Sequence, residues 1–197
     1  MNLANKLTII RMLLVPIMVI IPFFNIQGQW LGIPITYWII NFIFIIASIT
    51  DKLDGYIARS RNQVTTFGKF LDPLADKILV LSAMIMLVEF LKLPAWVPII
   101  VLIREFAVSG YRLVAVEKGG KVIAASVWGK LKTVTQMIAI ILAYIDVNGF
   151  FAFIGTELTG YSLLLNVTAS IIMLISVVAT IFSGIDYIKG GKDLLKD

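Results

Sequence analysis

The sequence predicts an all-α integral membrane protein of six transmembrane helices, with both termini cytoplasmic. Three observations carry that expectation: the apolar content is far above a soluble domain's, the apolar residues fall in long runs, and Lys and Arg gather on one side of those runs. Of 197 residues, 59% are hydrophobic and 15% are charged, and the mean hydropathy is +0.96. A soluble domain averages about 45–50% apolar and about 25% charged. Runs such as Met12–Phe24, Trp38–Thr50, Ile78–Val88 and Tyr161–Phe182 approach the ~20 residues an α-helix needs to cross ~30 Å of hydrocarbon. One membrane domain over residues 1–197 is expected, with no room for a soluble one.

The first span is expected at 9–24. Lys6 and Arg11 before an apolar run give the outline of a signal sequence. No small-residue cleavage pattern follows Pro22, however, and a signal peptide's apolar region is usually shorter, so the span is read as retained. Gly28, Gly32 and Pro34 break the chain before a second span at 34–51. A third follows at 75–91, and a fourth at 94–117 is bracketed by Pro94 and Pro98 and by Gly119 and Gly120. The fifth, at 130–147, has the weakest pattern, and Gly149–Thr159 after it is read as a loop or a short interfacial piece. The sixth covers 161–184 and is stopped by Gly190 and Gly191.

Orientation follows from the basic residues. Fifteen of the 17 Lys and Arg lie in the termini or in and beside the loops after spans two and four. Lys92 lies on the other side and Arg104 within a span. The net charge of +5 is therefore an asymmetry across a membrane. It is no nucleic-acid footprint, because the basic residues form no separate domain.

Cysteine and histidine are absent. That excludes disulfides, thiolate nucleophiles, imidazole bases and nitrogen or sulfur metal ligands. A general base is then expected to be Asp or Glu, and a bound metal would sit on oxygen, which favours Mg²⁺ or Mn²⁺ over zinc.

The informative stretch is Asp51-Lys-Leu-Asp-Gly-Tyr-Ile-Ala-Arg59 followed by Gly68-Lys-Phe-Leu-Asp72-Pro-Leu-Ala-Asp76. At 100° per residue, Asp51, Asp54, Gly55 and Ala58 share one helical face, and Asp72 and Asp76 share another. A hairpin between spans two and three brings the two faces together at the inner membrane boundary. Four carboxylates so close would repel unless cations sat among them. Such a set suits two divalent ions, roughly 3.5–4 Å apart in sites of this kind, which clamp the oxygens of a transferring phosphate. Gly55, Ala58 and Gly68 leave a surface without bulk, where a ligand can lie against backbone. The bland reading makes Asp72 an N-cap before Pro73 and makes Asp51 and Asp54 solvated helix ends. It accounts for single residues but not for all four at these spacings.

The pattern D-x2-D-G-x2-A-R-x8-G-x3-D-x3-D is complete over Asp51 to Asp76, with eight fixed positions in 26 residues. It resembles the signature of the CDP-alcohol phosphatidyltransferases. The six-span layout, and the motif's place between spans two and three, are similar to that family too. The resemblance implies transfer of a phosphatidyl group from CDP-diacylglycerol to an alcohol, with release of CMP. It implies that Asp51, Asp54, Asp72 and Asp76 hold two divalent cations, Mg²⁺ or Mn²⁺, and that Asp76 also takes the alcohol proton. Gly55, Arg59 and Thr65 fall where the family contacts the nucleotide and its phosphates, with Ala58 and Gly68 on the same surface. Asn5 and Thr8 are placed in the same donor pocket. One departure is Ala4, where many relatives have Pro; it touches only the first turn.

Two further segments, Arg104-Glu-Phe-Ala-Val-Ser-Gly-Tyr-Arg112 and Ala124-Ala-Ser-Val-Trp-Gly-Lys130-Leu-Lys-Thr133, remain. Arg104 and Glu105 inside a span are costly unless they face a cavity or each other. Glu105, Ser109 and Arg112 lie close on one face, and Lys130 and Lys132 open the next span at the same depth. A cluster of Arg104, Arg112, Lys130 and Lys132 beside a metal site is what a phosphate-bearing acceptor needs. The bland alternative is the positive-inside bias plus an intramembrane ion pair. These segments, with Asn5-Lys-Leu-Thr-Ile-Ile-Arg11, resemble the branch of the family that uses glycerol 3-phosphate. Resemblance also implies a homodimer in a bacterial cell membrane, with membrane lipid around it and the active site facing the cytoplasm. Sibling enzymes taking inositol phosphate, serine or phosphatidylglycerol are the alternatives within the family. A cation transporter is the alternative outside it, though transport carboxylates are expected near the bilayer midplane.

Overall fold

The computed structural model describes residues 3–60, 66–117 and 126–190, with side chains described except at 3–5, 52–60, 66–70, 116–117 and 190. Six long helices make up most of it, and they fall on the six expected apolar runs. The first, α1 (Leu3–Ile20), carries Pro16 and gives way to a 3₁₀ turn at Ile21–Phe24. Asn25 closes that turn in the left-handed region, its N–H bonded to the Pro22 carbonyl at 3.2 Å.

Between the first two long helices the sequence showed only breakers. The chain forms a small hairpin there, β1 (Gln29–Trp30) antiparallel to β2 (Ile33–Pro34), with Trp30 opposite Ile33. Leu31 and Gly32 both have positive φ, 55° and 76°, as a two-residue type I′ turn requires. Trp38 fastens the hairpin to the next helix by donating from Nε1 to the Trp30 carbonyl at 3.1 Å.

The second and third long helices extend past their apolar runs. Helix α2 covers Ile35–Ser60 and α3 covers Thr66–Glu89, so every described motif position is helical. Asp72 therefore is not an N-cap, because α3 begins six residues before it. Pro73 lies inside the helix and has no N–H to return to the preceding turn. Helices α4 (Trp96–Glu117) and α5 (Val127–Ile145) follow. Ser126 caps α5, its hydroxyl accepting from the Gly129 N–H at 3.2 Å. The stretch read as a loop or short interfacial piece contains one helical turn, α6 (Ala152–Gly155), before α7 (Gly160–Gly190).

Helix α1 packs on both α2 and α3, while α7 lies along α5 and also touches α4. Met18, Ile40, Phe44, Leu79, Met84, Leu87, Ile140 and Met173 are buried where these helices meet. Tyr144 donates its buried hydroxyl to the Ala83 carbonyl at 2.9 Å, tying α5 to α3. Helix α7 turns Ser170, Ser176, Thr180 and Ser183 inward, all buried. Small residues of this kind let helices approach closely where the surroundings are as apolar as the core.

The outer surface is apolar. Leu13 and Ile17 on α1, Phe42 and Ile49 on α2, and Ile103 and Phe106 on α4 are exposed. Soluble monomers rarely expose contiguous apolar area on this scale. By length and composition, Lys6–Phe24 and Gly160–Lys189 are long and apolar enough to cross a membrane.

Candidate active site

Helix α1 organises the carboxylates. Thr8 and Arg11 are three residues apart, so they stand on one face of the helix, and both side chains are buried. Thr8 Oγ1 donates to Asp72 Oδ1 at 2.6 Å. Arg11 Nη1 donates to Asp51 Oδ1 at 2.6 Å. The two bonds bring the end of α2 and the start of α3 against a single turn of α1. A third helix thus holds one member of each expected aspartate pair, Asp51 and Asp72. Sequence reasoning placed Thr8 in the donor pocket and counted Arg11 only as a basic residue. The available signal was their spacing of three at the depth of the motif. A charge-assisted bond to a buried guanidinium is among the stronger polar contacts, roughly 1.5–3 kcal/mol.

Asp76, one turn beyond Asp72, lines a cavity of about 20 Å³ with Lys77, Val80, Glu105, Lys132, Thr133 and Gln136. It lies within electrostatic reach of Asp51, Lys132, Arg11 and Glu105. The cavity's far wall is an ionic hub. Glu105 Oε1 accepts from Lys132 Nζ and from Arg104 Nη1, the latter at 2.9 Å. Lys77 Nζ lies 4.0 Å from Glu105 Oε2 and donates to Ser109 Oγ. Ser109 in turn donates to the Glu105 carbonyl at 2.7 Å. Arg104 Nη2 reaches across to Ser183 Oγ at 2.5 Å, so the hub ties α3, α4, α5 and α7 together.

Arg104 and Glu105 thus face each other, and Glu105 also faces the cavity, as their cost inside a helix requires. Of the four cations expected at the acceptor phosphate, Lys132 lines the cavity and Arg104 joins it through Glu105. Arg112 turns to α7, donating to the Tyr187 hydroxyl at 2.5 Å, and Lys130 is exposed. Neither lines the cavity.

The side chains of Asn5, Asp54, Gly55, Ala58, Arg59 and Gly68, and the whole of Thr65, lie outside the described residues. Among the described residues, no group of three or more metal-ligating side chains is gathered closely enough to hold an ion. Asp51 and Asp72, both held on α1, offer only oxygen donors, the ligand type a hard divalent cation takes.

A family model described as CDP-alcohol phosphatidyltransferase matches residues 1–182. The chain belongs to that family. The resemblance read from the aspartate signature is borne out over nearly the full length.

A CDP-diacylglycerol–glycerol-3-phosphate 3-phosphatidyltransferase from Bacillus subtilis (strain 168) is 49% identical over 144 residues, covering 71% of this chain and 74% of that protein. A protein of the same name from Haemophilus influenzae is 37% identical over 202 residues, covering 100% of this chain and 96% of its own. A probable phosphatidylglycerophosphate synthase from Mycobacterium tuberculosis (strain H37Rv) is 37% identical over 187 residues, covering 95% and 80%.

Proposed function

We propose that this family member transfers the phosphatidyl group of CDP-diacylglycerol to sn-glycerol 3-phosphate, giving phosphatidylglycerophosphate and CMP in anionic phospholipid synthesis. The names of the similar proteins support that acceptor. The observation that carries the reading is the cavity at Asp76. It puts a carboxylate of the signature beside Lys77 and Lys132, so one small space offers a proton acceptor and a phosphate's counter-charges.

Asp51, Asp54, Asp72 and Asp76 would hold two divalent cations, Mg²⁺ or Mn²⁺, which supply charge neutralisation at the diphosphate. Arg11 and Thr8 fix two of those carboxylates. Asn5, Thr8, Gly55, Ala58, Arg59, Thr65 and Gly68 line the donor side. Lys132, with Arg104 behind it through Glu105, orients the acceptor phosphate, and Arg112 and Lys130 add positive charge that attracts it. Asp76 takes the proton from the acceptor hydroxyl, whose oxygen attacks the lipid-side phosphorus in line as CMP leaves. The protein's contribution is positioning and electrostatics, which dominate catalysis of phosphoryl transfer. The acyl chains lie among the helices, in the bilayer.

The same reading makes residues 1–197 one domain of six transmembrane helices in the cell membrane, as a homodimer. Both termini and the active site face the cytoplasm. Since the chain has no cysteine, single cysteines report topology cleanly. Arg61→Cys should label only from the cytoplasmic side and Glu157→Cys only from outside; the reverse result would overturn the orientation.

The deciding experiment is CMP release from CDP-diacylglycerol with a panel of acceptors. Glycerol 3-phosphate should support turnover, and inositol phosphate, serine and phosphatidylglycerol should not. EDTA should stop the reaction and Mg²⁺ or Mn²⁺ restore it. Turnover with another acceptor would refute the choice of glycerol 3-phosphate, and CMP release unaffected by chelation would refute the metal assignment.

A further inference from the structure

We propose that Lys77 is a second acceptor-phosphate residue, acting with Lys132 across the Asp76 cavity, and that Glu105 is the counter-ion that aims both amines. The inference rests on the proposed reaction and alters which cations meet the phosphate.

The geometry favours Lys77 over the more distant cations. It follows Asp76 directly on α3, and both residues line the one cavity that Lys132 closes from α5. Glycerol 3-phosphate is short: three carbons separate its attacking hydroxyl from its phosphate. A cation that recognises the phosphate while the hydroxyl sits at Asp76 must therefore belong to the same cavity. Lys77 and Lys132 satisfy that condition, whereas Arg112 is committed to Tyr187.

The charge count agrees. Lys77, Arg104 and Lys132 surround the single carboxylate of Glu105, which leaves two positive charges in excess, and the metals that Asp76 would hold in the proposed reaction would offset its own charge. A phosphate monoester dianion carries the complementary two. As a purely structural ionic cluster the arrangement is poor, because clustered cations repel and partly buried ion pairs lose much of their attraction to desolvation.

The head group of Lys77 also has capacity to spare. An ammonium has three donors. Among the described residues the Lys77 amine meets only Ser109 Oγ and, at 4.0 Å, Glu105. Its side chain keeps 25% of its surface accessible, so an incoming anion can reach it.

The test uses the full chain reconstituted in vesicles, with KM measured separately for each substrate and inorganic phosphate as a competitor. Lys77→Ala should raise the KM for glycerol 3-phosphate about 10- to 150-fold, the loss of one charge-assisted bond. The inhibition constant for phosphate should rise in parallel and the KM for CDP-diacylglycerol should stay within about twofold. Lys77→Arg, which keeps the charge, should recover part of the loss, and Arg112→Ala and Lys130→Ala should change acceptor KM less than Lys77→Ala does. Equal changes in both KM values, or none in either, would overturn the inference and make Lys77 a helix staple. Failure of the unaltered chain to use glycerol 3-phosphate at all would instead overturn the reaction it rests on.

Discussion

Two polar clusters sit at opposite ends of α3 and α5, roughly 20 Å apart at 1.5 Å per residue, and they are built on different principles. At the far end Lys92 is buried, at 5% exposure. It gives its amine to the carbonyls of Ala143, Tyr144 and Asp146, where α5 ends. The amine also lies 4.1 Å from the Tyr37 ring centroid. Asp146, equally buried, accepts from Asn148 twice at 3.0 Å and from Asn166 at 2.6 Å. One cation and one carboxylate balance, the Lys92, Asn148 and Asn166 donors find oxygens, and a helix C-terminus gains the positive charge it favours. At the near end three cations share Glu105 around a small cavity, and Asp76 stands beside them. Balanced charge marks a cluster that holds helices together. Excess positive charge beside a carboxylate of the signature marks one that waits for a ligand.

The largest effect that separates the two ends is on turnover. Asp76→Asn should cut the rate by about 10²–10⁴-fold, the usual worth of a general base, with little loss of thermal stability. Activity above a tenth of the unaltered chain's would remove Asp76 from its role.

Asp146→Ala should do the opposite. It removes the buried carboxylate that accepts from Asn148 and Asn166, and with it the negative charge beside Lys92, at a cost of about 1–3 kcal/mol. The midpoint of thermal unfolding should fall clearly while both KM values hold at temperatures where the protein stays folded. A selective change in acceptor KM would show that the far cluster takes part in the site and would break the comparison.

The smallest effect sharpens it. Burial lowers the Lys92 amine from its ordinary value to about 8, against a weaker upward pull from Asp146. The folded amine therefore releases its proton at lower pH than the unfolded one, and between pH 8 and about 10.5 the unfolded chain binds more protons. Lys92's contribution to stability should rise with pH across that window and level off above it. The measurement is the difference in unfolding midpoint between the unaltered chain and Lys92→Met, followed from pH 7 to pH 11. A flat difference would mean that the three carbonyls hold the ammonium without a net burial cost.

Legibility differed sharply between these regions. The aspartate signature could be read outright because its logic is local: spacings of three and four on a helix define a face whatever surrounds it. Arg11 and Lys77 could not be found that way. Each is one basic residue among 17 and each also satisfies the positive-inside bias, so its contact with Asp51 or with the Asp76 cavity exists only once α1, α2, α3 and α4 are packed. The same limit explains Arg112 and Lys130. Helical spacing placed them at the right depth, but depth says nothing about which neighbouring helix a long side chain meets, and Arg112 met Tyr187. The hairpin at residues 29–34 was missed because strands of two residues are too short for an alternating pattern to show.

By itself the sequence determined the helical class, the six apolar runs, the all-oxygen chemistry of the site and the family. These follow from composition and from periodicities that survive without neighbours. Only the tertiary structure decided which residues aim the carboxylates, which cations stand beside Asp76, and which buried ion cluster balances its own charge. Those are matters of contact between helices distant in the chain. Side-chain reach and local charge balance select among partners that a linear pattern leaves equivalent.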